Sequence, residues 1–189
     1  TIADPKTFGI SEYEPVLPIY HSGQPEDSKE HCSDLLHRLD RIDPDRLSPE
    51  NAYTYRLLHR SLENDLALAD FPYYNEPLSP SSGMQSQLPV LLAEYTFRTK
   101  RDVTDYLALL DQIDDYFASL LLYEQEKAAA GFFMPACSSE KVRKQCDTIV
   151  TTEELAQGTH FLQTTFEDRL SELQKQGLFT PKETASLIE

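Results

Sequence analysis

The sequence predicts an all-α fold: an irregular multi-helix bundle with a Pro/Gly-rich N-terminal arm and a long ordered loop. Three observations carry that expectation. Apolar residues recur at spacings of three and four beyond residue 28, the stripe of an amphipathic helix. Start and stop signals punctuate those stripes. The single strand candidate, Val16–Tyr20, is interrupted by Pro18, which demotes it to an edge or to no strand.

Residues 1–27 hold Pro5, Pro15, Pro18 and Pro25 with Gly9 and Gly23, a spacing that forbids a long helix and predicts an extended arm. Cys32, Leu35, Leu36, Leu39 and Ile42 then form a stripe ended by Asp43-Pro44. Ser48-Pro49-Glu50 combines a capping hydroxyl, a proline at the first helical position and an acid at the positive dipole end. The helix it opens carries Ala52, Tyr55, Leu58, Leu62, Leu66 and Ala69, and Phe71-Pro72 breaks it.

The stretch Pro72–Pro89 reads as an ordered loop of several turns. A short buried helix follows, with Pro89 at its start. Thr99 and Asp102 resemble a capping box that opens one long helix to Ala130, with Val103, Tyr106, Leu110, Ile113, Phe117 and Leu120 as its seam. Its expected partner is the helix Ser48–Ala69, and Gly131 is placed at its C-terminus. Another helix starts at Ser138, with Val142 and Ile149 inward. A last full helix carries Leu155, Leu162, Phe166, Leu170 and Leu173 and closes at Gly177. Together these predict a single helical domain over 1–189, with 28–189 as the bundle. Thr180-Pro181-Lys182-Glu183 opens one more helix close to Glu189, from which the chain is expected to be part of a longer protein.

Charge narrows the functions. With 17 Lys and Arg against 32 Asp and Glu, the net charge is −15. That balance argues against nucleic acid as a partner, because affinity for phosphates rests on basic side chains, and against anionic membrane surfaces. No apolar run approaches the ~20 residues of a membrane span. The three cysteines, Cys32, Cys137 and Cys146, form no disulfide framework and read as idle thiols.

Chemistry is sparse. None of His21, His31, His37, His59 and His160 sits in an H-E-x-x-H string or four positions from another, so no metal ligand is assigned and zinc binding by these residues is not expected. No G-x-S-x-G elbow or phosphate-binding glycine loop is present. The paired acids, Glu153 with Glu154 and Asp114 with Asp115 among them, read as the wet faces of helices. No catalytic residue is assigned. The candidate substrate-binding residues lie in the Tyr73–Pro89 segment: Tyr74 as an apolar wall with a polar tip, and Gln85 and Gln87 as partners for an extended peptide backbone. Gly83 is expected to give that loop an unusual backbone angle. The competing role for the glutamines is satisfying loop carbonyls.

The run Tyr73-Tyr74-Asn75-Glu76-Pro77-Leu78-Ser79-Pro80-Ser81-Ser82-Gly83-Met84-Gln85-Ser86-Gln87-Leu88-Pro89, with Leu91-Leu92-Ala93-Glu94-Tyr95, Phe97-Arg98, Asp102-Val103 and Asp105-Tyr106-Leu107, resembles the bacterial domain-of-unknown-function 885 family. Ala3-Asp4-Pro5 through Phe8-Gly9-Ile10, Val142 through Gln145-Cys146 and the Thr165-Phe166 helix are similar to it as well. The resemblance implies a longer, largely helical, zinc-metallopeptidase-like hydrolase whose H-E-x-x-x-G-H-H pattern lies in a C-terminal half. On that reading this chain is the N-terminal, cleft-forming portion, inactive alone, with no cofactor of its own and zinc in the other half. Its expected partners are the C-terminal half, a peptide substrate and a second copy of the chain. Relatives that look like exported lipoproteins imply an extracytoplasmic location after signal removal. The competing class is a stand-alone acidic helical protein-interaction module.

Overall fold

A computed structural model describes residues 10, 12–21 and 24–188, and in its first helix the side chains from Ser28 onward. The expected arm motif from Ala3 to Gly9 lies outside the described residues. Among them are nine α-helices and no strand: α1 Gln24–Leu39, α2 Pro49–Leu68, α3 Met84–Ala93, α4 Lys100–Leu110, α5 Ile113–Ala129, α6 Ala136–Ile149, α7 Thr152–Gln157, α8 Phe161–Lys175 and α9 Pro181–Ile188. A short 3-10 turn, Pro44–Arg46, stands between α1 and α2. The fold is all-α, as predicted. The chain divides into two compact units: one draws on Pro77–Phe117 and Met134–Glu189 with the chain up to Pro18, the other on Ile19–Glu76 and Ala118–Phe133.

The larger unit is organised around α3, which packs on α6 and α8, while α8 packs on α9. Tyr106 stacks on Phe166 at 5.5 Å, and Phe97 stands edge-on to both. Leu170 and Leu173 are fully buried. The α4 start is the expected capping box: the Thr99 hydroxyl accepts from Asp102 N, and the Asp102 carboxylate accepts from Thr99 N at 2.7 Å. A second box opens α9, where Glu183 and Thr180 exchange the same pair of bonds.

Several expected boundaries move, each for a local reason. Helix α1 starts at Gln24, inside the stretch assigned to the arm. The long helix to Ala130 is two, α4 and α5, because the chain tightens at Asp111-Gln112, where Gln112 N bonds back three residues to Leu109 O. The step rotates the seam: Val103, Tyr106 and Leu120 are buried as expected, but Leu109 and Tyr116 take the places assigned to Leu110 and Phe117, which are half-buried. Helix α3 begins at Met84, so Pro89 lies inside it rather than at its start. The last helix is interrupted at Gly158-Thr159-His160. Gly158 adopts a left-handed φ of +66°, and His160 caps α8: its Nδ1 accepts from Leu162 N, which leaves Nε2–H to donate to Ile149 O at 2.9 Å.

The smaller unit is built on a helical hairpin in which α2 packs on α1. Ser48 and Pro49 start α2 as predicted, the Ser48 hydroxyl accepting from Asn51 N. No residue of α2 is fully buried. Ala52, Tyr55, His59, Leu62, Leu66 and Ala69 are its half-buried face, and Leu58, expected on that stripe, is 51% exposed.

Candidate functional site

The three candidate binding residues fall in different settings. Tyr74 belongs to the smaller unit and Gln85 and Gln87 to the larger. Gln85 is 3% exposed. Its Nε2 donates to Ser79 O at 2.7 Å and to Gln145 Oε1 at 2.9 Å, and Gln145 Nε2 donates to Pro80 O. This chain of amides fixes the Pro77–Gly83 loop to α3 and α6, the carbonyl-satisfying role. Gln87 is exposed on α3. Gly83 has an ordinary backbone, φ −72° and ψ 150°, so the expected unusual angle is absent. Space is what demands glycine there: a Cβ would stand 2.2 Å from Ser79 N and 2.6 Å from Ser79 O.

Tyr74, 69% exposed, lines a cavity of about 590 Å³ in the smaller unit. The cavity is floored by Cys32, Leu68 and Ala69 and walled by Tyr20, Phe71, Tyr74 and Tyr123. Tyr20 and Tyr123 approach at 5.8 Å, tilted by 52°. The Tyr123 hydroxyl donates to Pro72 O at 3.0 Å and reaches Asn75 O at 3.3 Å, so its ring is what it offers the cavity. Burial pushes that phenol up to about 12. Lys127, 1% exposed, donates to Asn75 O and pairs with Glu76. Tyr123 and Lys127 together hold the 72–76 turn, which presents Tyr74. Asp65, His31, Ser28 and Asn75 supply the polar lining.

Three of the five histidines already have partners. His160 spends both ring nitrogens on backbone, His59 contacts Asp40 and Glu63, and His37 Nδ1 lies 2.8 Å from Ser33 O. Among the described residues, no three His, Cys, Asp or Glu side chains gather where they could hold a metal ion. All three cysteines are free, Cys32 buried and Cys137 and Cys146 exposed. No helix among the described residues is long and apolar enough to cross a membrane.

Tyr20, Asp65, Phe71 and Tyr123 were not legible as neighbours, because nothing in a stripe pattern joins positions so far apart. Of the lining residues, only Tyr74 stands out in the sequence, through its loop context.

An all-α molecule with an aromatic cavity and no metal cluster among its described residues is the class these features define. The profile of a bacterial family of proteins of unknown function, DUF885, matches residues 6–186, and the chain belongs to that family. No curated protein and no solved structure matches it.

Proposed function

We propose that this chain is the substrate-binding, cleft-forming helical portion of a metallopeptidase-like hydrolase. Any zinc chemistry then lies beyond residues 1–189, since among the described residues no three His, Cys, Asp or Glu side chains gather where they could hold a metal ion. In this reading the two compact units act as one domain, and the protein works outside the cytoplasm as a lipoprotein. The observation that carries it is the tyrosine-walled cavity, whose volume suits one or two peptide side chains. Tyr74 supplies a wall to the bound peptide in the smaller unit, and Gln87, exposed on α3 of the larger unit, is proposed separately as a peptide contact. Gln85 contributes by holding its loop.

The test uses the full-length natural protein with quenched fluorescent peptide mixtures, with and without a zinc chelator. Chelator-sensitive cleavage is expected, with Tyr74→Ala lowering kcat/KM about tenfold at unchanged melting temperature. Absence of peptide cleavage, or cleavage indifferent to chelator, would overturn the proposal.

A second reading, the stand-alone interaction module, is favoured by one observation: Leu121, Leu122, Phe132 and Phe133 of the smaller unit are 55–74% exposed. Contiguous apolar surface marks contact faces. That reading expects a partner bound through this apolar surface; self-association, expected on either reading, would be refuted by a strictly monomeric species in sedimentation at high concentration.

A further inference from the structure

The lining of the cavity in the smaller unit is unequal in charge. Asp65 contributes a carboxylate, and among the described residues no lysine or arginine lines the space. Asp65, on α2, takes part in no ion pair among the described residues, whereas Lys29 on α1 is already paired with Asp70 at 2.7 Å. The rings of Tyr20, Phe71, Tyr74 and Tyr123 line the same space. An aromatic face carries negative charge density, so a cation held over it is attracted, more strongly where water is partly excluded. The Tyr123 hydroxyl is spent on the Pro72 and Asn75 carbonyls and does not compete as a donor to Asp65. The net charge of −15 adds a long-range field that draws cations toward the molecule.

We infer that the cavity is a recognition pocket for a guanidinium group, the side chain of an arginine in a peptide, with Asp65 as counter-charge and the tyrosine rings as stacking walls. Arginine fits better than lysine because its planar, weakly hydrated head can stack on a ring and pair with a carboxylate at once. A free phosphate or an acidic peptide would meet the Asp65 carboxylate and ring faces with no lysine or arginine among the described lining residues to offset them, and is disfavoured by charge. The inference rests on the peptide-binding reading above and names the side chain that reading leaves open.

The chain contains no tryptophan, so a tryptophan placed in a short probe peptide reports binding by itself. Three probes are titrated: a peptide with a central arginine, the same peptide with citrulline, and N-acetylarginine amide followed calorimetrically. The arginine peptide should bind about tenfold or more tightly than its neutral isostere. Asp65→Asn, at an exposed position where folding is not at risk, should abolish that preference while leaving the citrulline peptide unchanged. The preference should also shrink between about 50 and about 500 mM salt. Equal binding of both peptides, or a preference that survives Asp65→Asn, would overturn the guanidinium pocket and leave peptide binding standing. Binding of N-acetylarginine amide that depends on Asp65, with neither peptide bound, would keep the pocket and overturn the peptide reading. No binding of any probe overturns both.

Discussion

Gly83→Ala tests whether the loop before α3 is held by close backbone approach. The added methyl would meet Gln85 Oε1 at 2.0 Å, Ser79 N at 2.2 Å and Ser79 O at 2.6 Å. The first atom ends a side chain and can move; the other two are backbone. Relieving them to ordinary contact needs a shift of about 1 Å, because carbon and a backbone heavy atom sit roughly 3.5 Å apart at best. Three bonds converge there: Gly83 N to Ser79 O at 3.0 Å, Met84 N to Pro77 O at 2.9 Å and Gln85 Nε2 to Ser79 O at 2.7 Å. At about 1 kcal/mol each, losing two or three costs about 2–3 kcal/mol. The smaller entropy of an unfolded alanine chain gives back about 0.4–1 kcal/mol, so a net loss of about 1–2.6 kcal/mol is expected in urea denaturation. Gly158→Ala is the contrast, since nothing stands within 4 Å of its Cβ but φ is +66°; it should cost about 1 kcal/mol through strain alone. If Gly83→Ala were neutral or stabilising, the close-approach argument would be wrong.

Three further outcomes are expected. Leu170→Ala, at a fully buried position, should lose about 2–5 kcal/mol in chemical denaturation, and a loss below 1 kcal/mol, small for a cavity of that kind, would show that the core is loosely packed there. His160→Ala should cost about 1–3 kcal/mol and expose the amide of Leu162 to faster hydrogen exchange, because it removes the α8 cap and the partner of Ile149 O; unchanged exchange would refute the capping role. The Lys100 ammonium 2.7 Å away, with Thr180 N and hydroxyl, lowers the Glu183 carboxyl to about 2 from 4.5. A carboxyl depressed in the folded state adds stability above its unfolded pKa and loses it as pH falls toward the folded one. The stability gap between the parent chain and Glu183→Gln should therefore be full near neutrality and close between about pH 4.5 and about pH 2, and a pH-independent gap would disprove the linkage.

What was legible in the sequence was local. The Ser48-Pro49 start, the Thr99/Asp102 box and the glycines at 131 and 177 each depend on residues within one turn of one another, and the structure places all four as expected. The misplaced boundaries depend on tertiary partners. Gln112 tightens the chain between α4 and α5 while its side-chain amide accepts from Leu17 N and donates to Pro15 O, a pairing across more than ninety residues that no helical period reveals. Helix α3 starts at Gly83, a cap with no side chain to announce it, so a proline count read its first turn as loop. The cavity was legible only at Tyr74. Its other walls look like ordinary helix and arm residues until the fold assembles them.

The helix side chains that reach loop carbonyls follow from the same proline usage that hid the boundaries. Twelve prolines remove backbone donors and prevent regular ladders in the connecting segments, which leaves carbonyls that must find hydrogen bonds elsewhere if they are buried. Helix side chains meet that need. Arg169 donates to Leu92 O and Tyr95 O while lying 4.5 Å from the Phe97 ring centre. Arg101 reaches Tyr13 O at 2.7 Å, Gln145 reaches Pro80 O, and Tyr123 and Lys127 take Pro72 O and Asn75 O. A lysine at 1% exposure would ordinarily invite a catalytic reading. Here its bonds to a carbonyl and to Glu76 account for it, and its work is to hold the turn that carries Tyr74. The donors among the polar side chains of these helices are thus largely accounted for by the carbonyls of the connecting segments.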